Sequence, residues 1–225
     1  MVIVITKPEF FEGEAEQIVQ LLDSGRADLV HIRKPQQPSS LADSARGLEL
    51  AELTELTELA ELTELTELAE LAELAELAEL AELAGLERLE RLIQALPARL
   101  YGRLVLHDGH QLAIKYGLRG VHLNSRHPQP PEGFKGAVSI SCHSLKEVAE
   151  CRKQPYAYMS LSPIFDSISK RGYRSAFSAD DIAAARSQGL IDKRVMALGG
   201  ITFDRISEVT KMGFGGAMIL GDAWK

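Results

Sequence analysis

Eight short runs of branched and apolar residues recur along the chain, most of them separated by a stretch with helical character. The runs are Val2–Ile5, Leu29–Ile32, Leu104–Leu106, Gly120–Leu123, 137–140, 157–161, 194–198 and 216–220. Helical stretches are expected at Glu14–Asp23, Gln111–Tyr116, 145–152, 179–188 and 203–212. Strands joined by helical crossovers form a parallel sheet, and eight is the number that closes such a sheet on itself. The expected architecture is therefore an α/β, TIM-type (β/α)8 barrel, one domain over 1–225. After the eighth run only Gly221-Asp-Ala-Trp-Lys225 remains, so the last barrel helix is expected to be truncated.

A second feature interrupts that pattern between strands two and three. Leucine occupies every third position from Leu50 to Leu92, and glutamate every third position from Glu49 to Glu82. Ala, Leu and Glu favour helix, so an inserted helical repeat is expected over 44–84. Its period is wrong for an amphipathic face. At ~100° per residue each leucine lags the last by ~60°, and the row winds around the whole helix. It is no heptad seam, which averages ~3.5 residues. A helix over 44–84 runs roughly 60 Å, longer than a barrel is tall, and must protrude, bend or self-associate. Gly85 is the expected break, with 86–96 then serving as the barrel helix before Pro97. Three origins remain open: expansion of a short DNA repeat, an oligomerisation or partner-binding helix, and an engineered insertion.

The repeat also distorts the charge. The whole chain carries -7, but 12 of its 32 acidic residues lie in 49–84, where Lys and Arg are absent. The other 189 residues hold 25 basic and 20 acidic side chains, a net +5. A mildly basic barrel suits a small anionic ligand and gives no case for nucleic acid. The opening Met1-Val-Ile-Val-Ile-Thr6 lacks a basic region and is too short for a signal peptide or membrane span. Cys142 and Cys151 form neither a disulfide framework nor a zinc pattern. A cytoplasmic protein, with no membrane partner and a possible homo-oligomer, is expected.

Barrels of this kind build their sites at the C-terminal ends of the strands. Polar residues collect there. Strand two ends in His31 and Arg33, which share a side of the strand. Strand three ends in His107 and Asp108. Strand four carries His122 and leads to Arg126 and His127, strand five ends in Ser141, Cys142 and His143, and strand six leads into Ser162. Gly199 and Gly200 follow strand seven and Gly221 follows strand eight, where bare backbone N–H groups commonly hold phosphate. Lys170 is placed to add charge to the same anion.

These strings resemble the thiamine phosphate synthase/TenI family: His31-Ile-Arg33, Gly120-Val-His122-Leu, Ser141-Cys-His143-Ser, Ser162-Pro-Ile-Phe165, Ser167-Ile-Ser169-Lys170, Leu198-Gly199-Gly200-Ile201 and Gly215-Gly216 to Gly221. They stand in the family's order throughout the chain outside the repeat. The resemblance implies a TIM barrel acting on a phosphorylated thiazole and, for the synthase, a pyrimidine diphosphate. It implies that Ser167, Ser169 and Lys170 contact phosphate or diphosphate, that Gly199, Gly200 and Gly221 cradle the thiazole phosphate, and that Arg33 faces the pyrimidine. His31 stands where the synthase usually has glutamine.

Three departures accompany the match. His107 replaces an asparagine before Asp108, Arg126 and His127 stand where a second magnesium-binding aspartate is expected, and Pro35 takes a lysine position with Lys34 one residue early. A magnesium diphosphate needs several hard oxygen ligands, and Asp108 alone supplies few. The expected activity is therefore the metal-independent tautomerase of TenI, with His143 moving a proton on the thiazole ring and no cofactor. The alternatives are the synthase, using Mg2+ at Asp108, and a non-catalytic phosphate-binding scaffold. His31, His107, His122 and Ser141 complete the expected substrate-binding set.

Overall fold

The computed structural model describes residues 1–35, 61–166 and 177–225. Eight parallel strands close into a barrel in sequence order. They are β1 (Val2–Ile5), β2 (Leu29–Ile32), β3 (Leu104–Leu106), β4 (Gly120–Leu123), β5 (Ala137–Cys142), β6 (Tyr158–Leu161), β7 (Val195–Leu198) and β8 (Gly216–Ile219). Closure is made by β1 against β8, with Val2 opposite Ala217 and Val4 opposite Ile219. This is the TIM barrel that the eight runs imply. The described helices are α1 (Glu14–Asp23), α2 (Glu61–Ala95), α3 (Gln111–Tyr116), α4 (Leu145–Cys151), α5 (Ala179–Ser187) and α6 (Ile206–Lys211).

Two local sequences show why helices begin where they do. The Ser178 hydroxyl accepts from the Asp181 amide while the Asp181 carboxylate accepts from the Ser178 amide, a reciprocal cap on α5. Ser144 caps α4 through the Glu147 amide, and Glu147 returns a bond to the His143 amide. That second cap fixes the backbone at the end of β5, where a candidate catalytic side chain stands.

Apolar packing occupies two places. Between strands and outer helices lie Cys142, Val148, Met159, Leu161, Ile182 and Val195 with their neighbours. Inside the barrel lie Ile3, Ile5, Leu29, Tyr158, Met196 and Met218, closed over by Leu198 and Leu220. After β8 the chain makes a 3-10 turn, Gly221–Trp224. The Trp224 indole N–H donates to the Ile5 carbonyl at 2.7 Å, and the ring meets Phe11 edge-on at 5.7 Å.

The chain divides into two compact units, residues 1–34 with 92–225 and residues 35–91. The second is wider than the 44–84 insertion expected from the repeat. Its described helix corrects one expectation, because α2 runs unbroken through Gly85 to Ala95. A glycine inside a helix costs ~1 kcal/mol relative to alanine. Breaking there would leave the unsatisfied groups of two new helix ends. Leu77, Leu80 and Leu83 are each more than half exposed, as a row of period three requires. Burial begins with Leu89, Leu92, Ile93 and Leu96, whose spacing of three and four makes a true face. No described helix is long and apolar enough to cross a membrane.

Candidate active site

The polar residues at the strand ends converge inside the barrel. His31 on β2 places Nδ1 2.8 Å from Nε2 of His107 on β3, and Nε2 2.6 Å from the Tyr158 hydroxyl on β6. Strands β2 and β6 are not neighbours, so this last bond crosses the interior. His122 on β4 sits with Nδ1 2.8 Å from Ser139 Oγ and Nε2 2.9 Å from Ser141 Oγ, both on β5. The His107 and His122 rings stack at 4.3 Å between centroids. His31 and His122 are fully buried and His107 nearly so.

Burial decides the charge of this cluster. Desolvation holds His31 and His107 well below the usual histidine range, assisted at both by other histidines. It pushes His122 down to about 3 and the Tyr158 phenol up to about 12. All four side chains are therefore neutral near pH 7. One ligand atom from each of the three histidines lies within 4.8 Å of the others, a spacing that suggests a metal. The hydrogen bonds oppose that reading. A metal needs bare lone pairs from all three rings aimed at one point. Here a proton must lie between His31 and His107, and both nitrogens of His122 are engaged by serines.

A second cluster lies just beyond β3 and β4. The buried Asp108 carboxylate receives the Arg126 guanidinium at 2.9 Å and lies 3.5 Å from His127 Nε2. Asn124 sets that geometry, its carbonyl oxygen accepting the backbone amides of Arg126 and His127. The other Asp108 oxygen and His110 Nε2 are buried without a hydrogen-bond partner among the described residues. Asp108 belongs to no described cluster of three or more potential metal ligands. The described residues therefore fit Mg2+ poorly, since a guanidinium already neutralises the carboxylate through one oxygen and no second acidic ligand stands beside the other.

The remaining expectations divide. His143 is exposed, with Nδ1 3.2 Å from Ser162 Oγ at the end of β6. Gly199 and Gly200 have φ of 99° and 63°, and a Cβ on Gly200 would fall 2.3 Å from the Asp166 carbonyl oxygen. Only glycine allows this bare rim at the end of β7. Gly221 meets no such restriction. Arg33 is half-buried and close enough to His107 to lower its pKa. Lys34 is turned away into a buried ion pair with Glu14 at 2.5 Å, bonding also to the Lys7 and Glu9 carbonyls. It ties down the loop after β1. Ser167, Ser169 and Lys170 lie outside the described residues.

Sequence reasoning did not single out Ser139, Tyr158 or His110. The first two carry a usable signal, because Ser139 and Ser141, like Tyr158 and Ser160, are two apart and share the inner side of their strands. An aromatic residue in a buried run nonetheless reads as core.

A family model described as thiamine monophosphate synthase matches residues 75–221. The chain is 28% identical over 139 residues to a putative thiamine-phosphate synthase of Geobacter sulfurreducens, covering 57% of this chain and 62% of that protein. It is 30% identical over 133 residues to a thiamine-phosphate synthase of Serratia proteamaculans, covering 56% and 61%. The chain thus spans about three fifths of the length of the curated relatives it matches. A crystal structure titled thiamine phosphate pyrophosphorylase from Bacteroides thetaiotaomicron superposes with a TM-score of 0.69 at 32% identity, over 99% of this chain and 84% of the other. One from Pyrococcus furiosus, at TM-score 0.52 and 19% identity over 97% and 84%, supports the fold alone.

Proposed function

The chain belongs to the thiamine monophosphate synthase family, and from that premise we propose that it joins a pyrimidine carried on a diphosphate to a phosphorylated thiazole. The observation that carries this reading is the likeness, over 99% of the chain at 32% identity, to a protein titled thiamine phosphate pyrophosphorylase. In the reaction the thiazole nitrogen gives its electron pair to the pyrimidine methylene carbon. The carbon–oxygen bond breaks and diphosphate leaves with the bonding pair.

The Gly199–Gly200 rim admits the thiazole phosphate close to the backbone. Arg126 and Arg33 supply positive charge near the departing diphosphate, with Ser167, Ser169 and Lys170 assigned to the same anion by family resemblance. Synthases of this family are in general Mg2+-dependent. Around Asp108 the guanidinium of Arg126 supplies the counter-charge instead, and no step here runs through a metal.

That same ion pair favours a second reading, the thiazole tautomerase. It needs no metal, only an acid/base such as His143 and a phosphate anchor. The full chain, incubated with both substrates with and without Mg2+, separates the two. Thiamine phosphate and released diphosphate support the synthase. Conversion of the thiazole tautomer alone, unaffected by chelator and abolished in His143→Ala, replaces it with the tautomerase. Thiazole phosphate binding in calorimetry without either turnover leaves a binding protein.

A further inference from the structure

Two carboxylates sharing one Mg2+ sum to zero charge, and so does one carboxylate paired with one guanidinium. At Asp108 the structure holds the second arrangement. We propose that Arg126, held by Asp108 and flanked by His127, is a built-in cationic site for a metal-free diphosphate, and that Mg2+ competes with this site for the anion. The identity of the anion rests on the synthase reading, while the site rests on its geometry. Arg126 Nη2 lies 2.9 Å from Asp108 Oδ1, and His127 Nε2 lies 3.5 Å from the same oxygen. The carboxylate is 3% exposed and the guanidinium 42%, so the pair is a dipole with its positive end outward. An anion arriving from solvent meets the guanidinium first.

Neither Arg126 nor His127 is a loose surface group. Asn124 Oδ1, just past β4, accepts the backbone amides of Arg126 at 2.9 Å and His127 at 3.1 Å. Its Nδ2 donates to the His107 carbonyl at 3.2 Å, which ties the loop after β4 to the end of β3. Both side chains are thereby set against Asp108 before any ligand arrives. A guanidinium carries several N–H donors in a planar fork, and the bond to Asp108 comes from Nη2. Paired N–H groups of that kind match two oxygens of a phosphate group. The His110 ring stands 5.2 Å from that of His127, and its Nε2 is buried without a partner among the described residues. An unmatched buried nitrogen beside an exposed cation marks a site that a hydrogen-bonding ligand completes.

A magnesium ion on Asp108 would stand beside a guanidinium, and like charges at that spacing repel. Seating the ion requires Arg126 to leave and still offers a single carboxylate, where Mg2+ takes several hard oxygens. In solution Mg2+ binds diphosphate and cancels the charge that draws it to Arg126. During turnover the thiazole nitrogen forms the new bond to the pyrimidine methylene carbon while the carbon–oxygen bond breaks. The electron pair of the broken bond stays on the diphosphate oxygen. Arg126 meets the charge gathering there with N–H groups fixed beforehand, where a hydrogen bond to an ion contributes most.

Calorimetry on the full chain with inorganic diphosphate, once in EDTA and once in excess Mg2+, tests the proposal without turnover. Diphosphate should bind in EDTA and bind more weakly in Mg2+. Arg126→Gln should weaken binding in EDTA roughly tenfold or more, the share of a charge-assisted hydrogen bond. Arg126→Asp should lose binding in EDTA and recover it in Mg2+, since two carboxylates then face one cation. If Arg126→Gln does not fold with Asp108 unpaired, the double variant Asp108→Asn/Arg126→Gln leaves no unpaired charge and serves in its place. Binding that needs Mg2+ in the unmodified chain, or that survives the loss of Arg126, would overturn the proposal. Binding in EDTA by a chain that forms no thiamine phosphate keeps the site and removes only the synthase reading. Thiamine phosphate formed solely with Mg2+ keeps that reading and removes the site.

Discussion

The interior of this barrel has two unlike sides. Where β7, β8 and β1 face inward, Met196, Met218, Ile3 and Ile5 fill space as barrel interiors usually do, with no group that titrates. Where β2 to β6 face inward, the same depth is filled by three histidines, a tyrosine and serines held by directional bonds. The apolar side is stable because it removes surface from water, and it tolerates any shape that packs. The polar side is stable only while every link is made, because an unmatched buried group costs ~1–3 kcal/mol. One side supplies cohesion, and the other a single defined arrangement.

Acid should separate the two sides most strongly. The buried histidines titrate below the ordinary 6.5, so the folded state binds fewer protons than the unfolded chain. Their contribution is complete above about pH 6.5 and is lost as pH falls toward the folded values, about 3 for His122. Stability should drop by about 1.4 kcal/mol per pH unit between pH 6 and 4 for His122 alone, with His31 and His107 adding to the fall in the same direction. Urea midpoints across that range measure the slope, and His122→Asn should reduce it by one proton's share. A flat profile would mean that the polar side is already protonated or hydrated.

Met218→Ala probes the other side. Loss of that buried side chain should cost about 2–5 kcal/mol with no change in pH slope, read by denaturant melts at pH 7 and 5. Tyr158→Phe should cost about 1–3 kcal/mol by leaving the buried His31 Nε2 without its partner. Adding His31→Leu should restore part of that loss, which a double-mutant cycle resolves. The smallest effect is expected at Ser160, whose buried hydroxyl has no hydrogen-bond partner among the described residues. Ser160→Ala should leave stability within ~1 kcal/mol or raise it, so polarity outside the network contributes nothing. A loss above that range would place Ser160 inside it.

Much of this was readable in the chain. The β1, β2, β3 and β4 limits and those of α1 and α3 coincide with the runs and helical stretches in the sequence, because alternation and turn residues are local signals. The same periodicity places His31, His107 and His122 at the inner ends of three strands. It does not say which strand His31 meets across the interior, so its bond to Tyr158 was not legible. Nor was the continuity of α2 through Gly85, where local propensity argues for a break and cooperativity overrides it. The reading of Arg126 depended on geometry too, since sequence alone does not bring a guanidinium onto Asp108.

The pairing of β2 with β3 sets Val30 beside Leu104, 74 positions later. Without the 36 residues of 49–84 the same closure would span 38. Chain-closure entropy grows only with the logarithm of length, so the longer connection costs about 0.6 kcal/mol more. A barrel with ordinary stability absorbs that amount without a compensating change elsewhere. Long additions at this junction are therefore nearly invisible to the thermodynamics of folding, and repeat length is free to vary without touching the strands on either side.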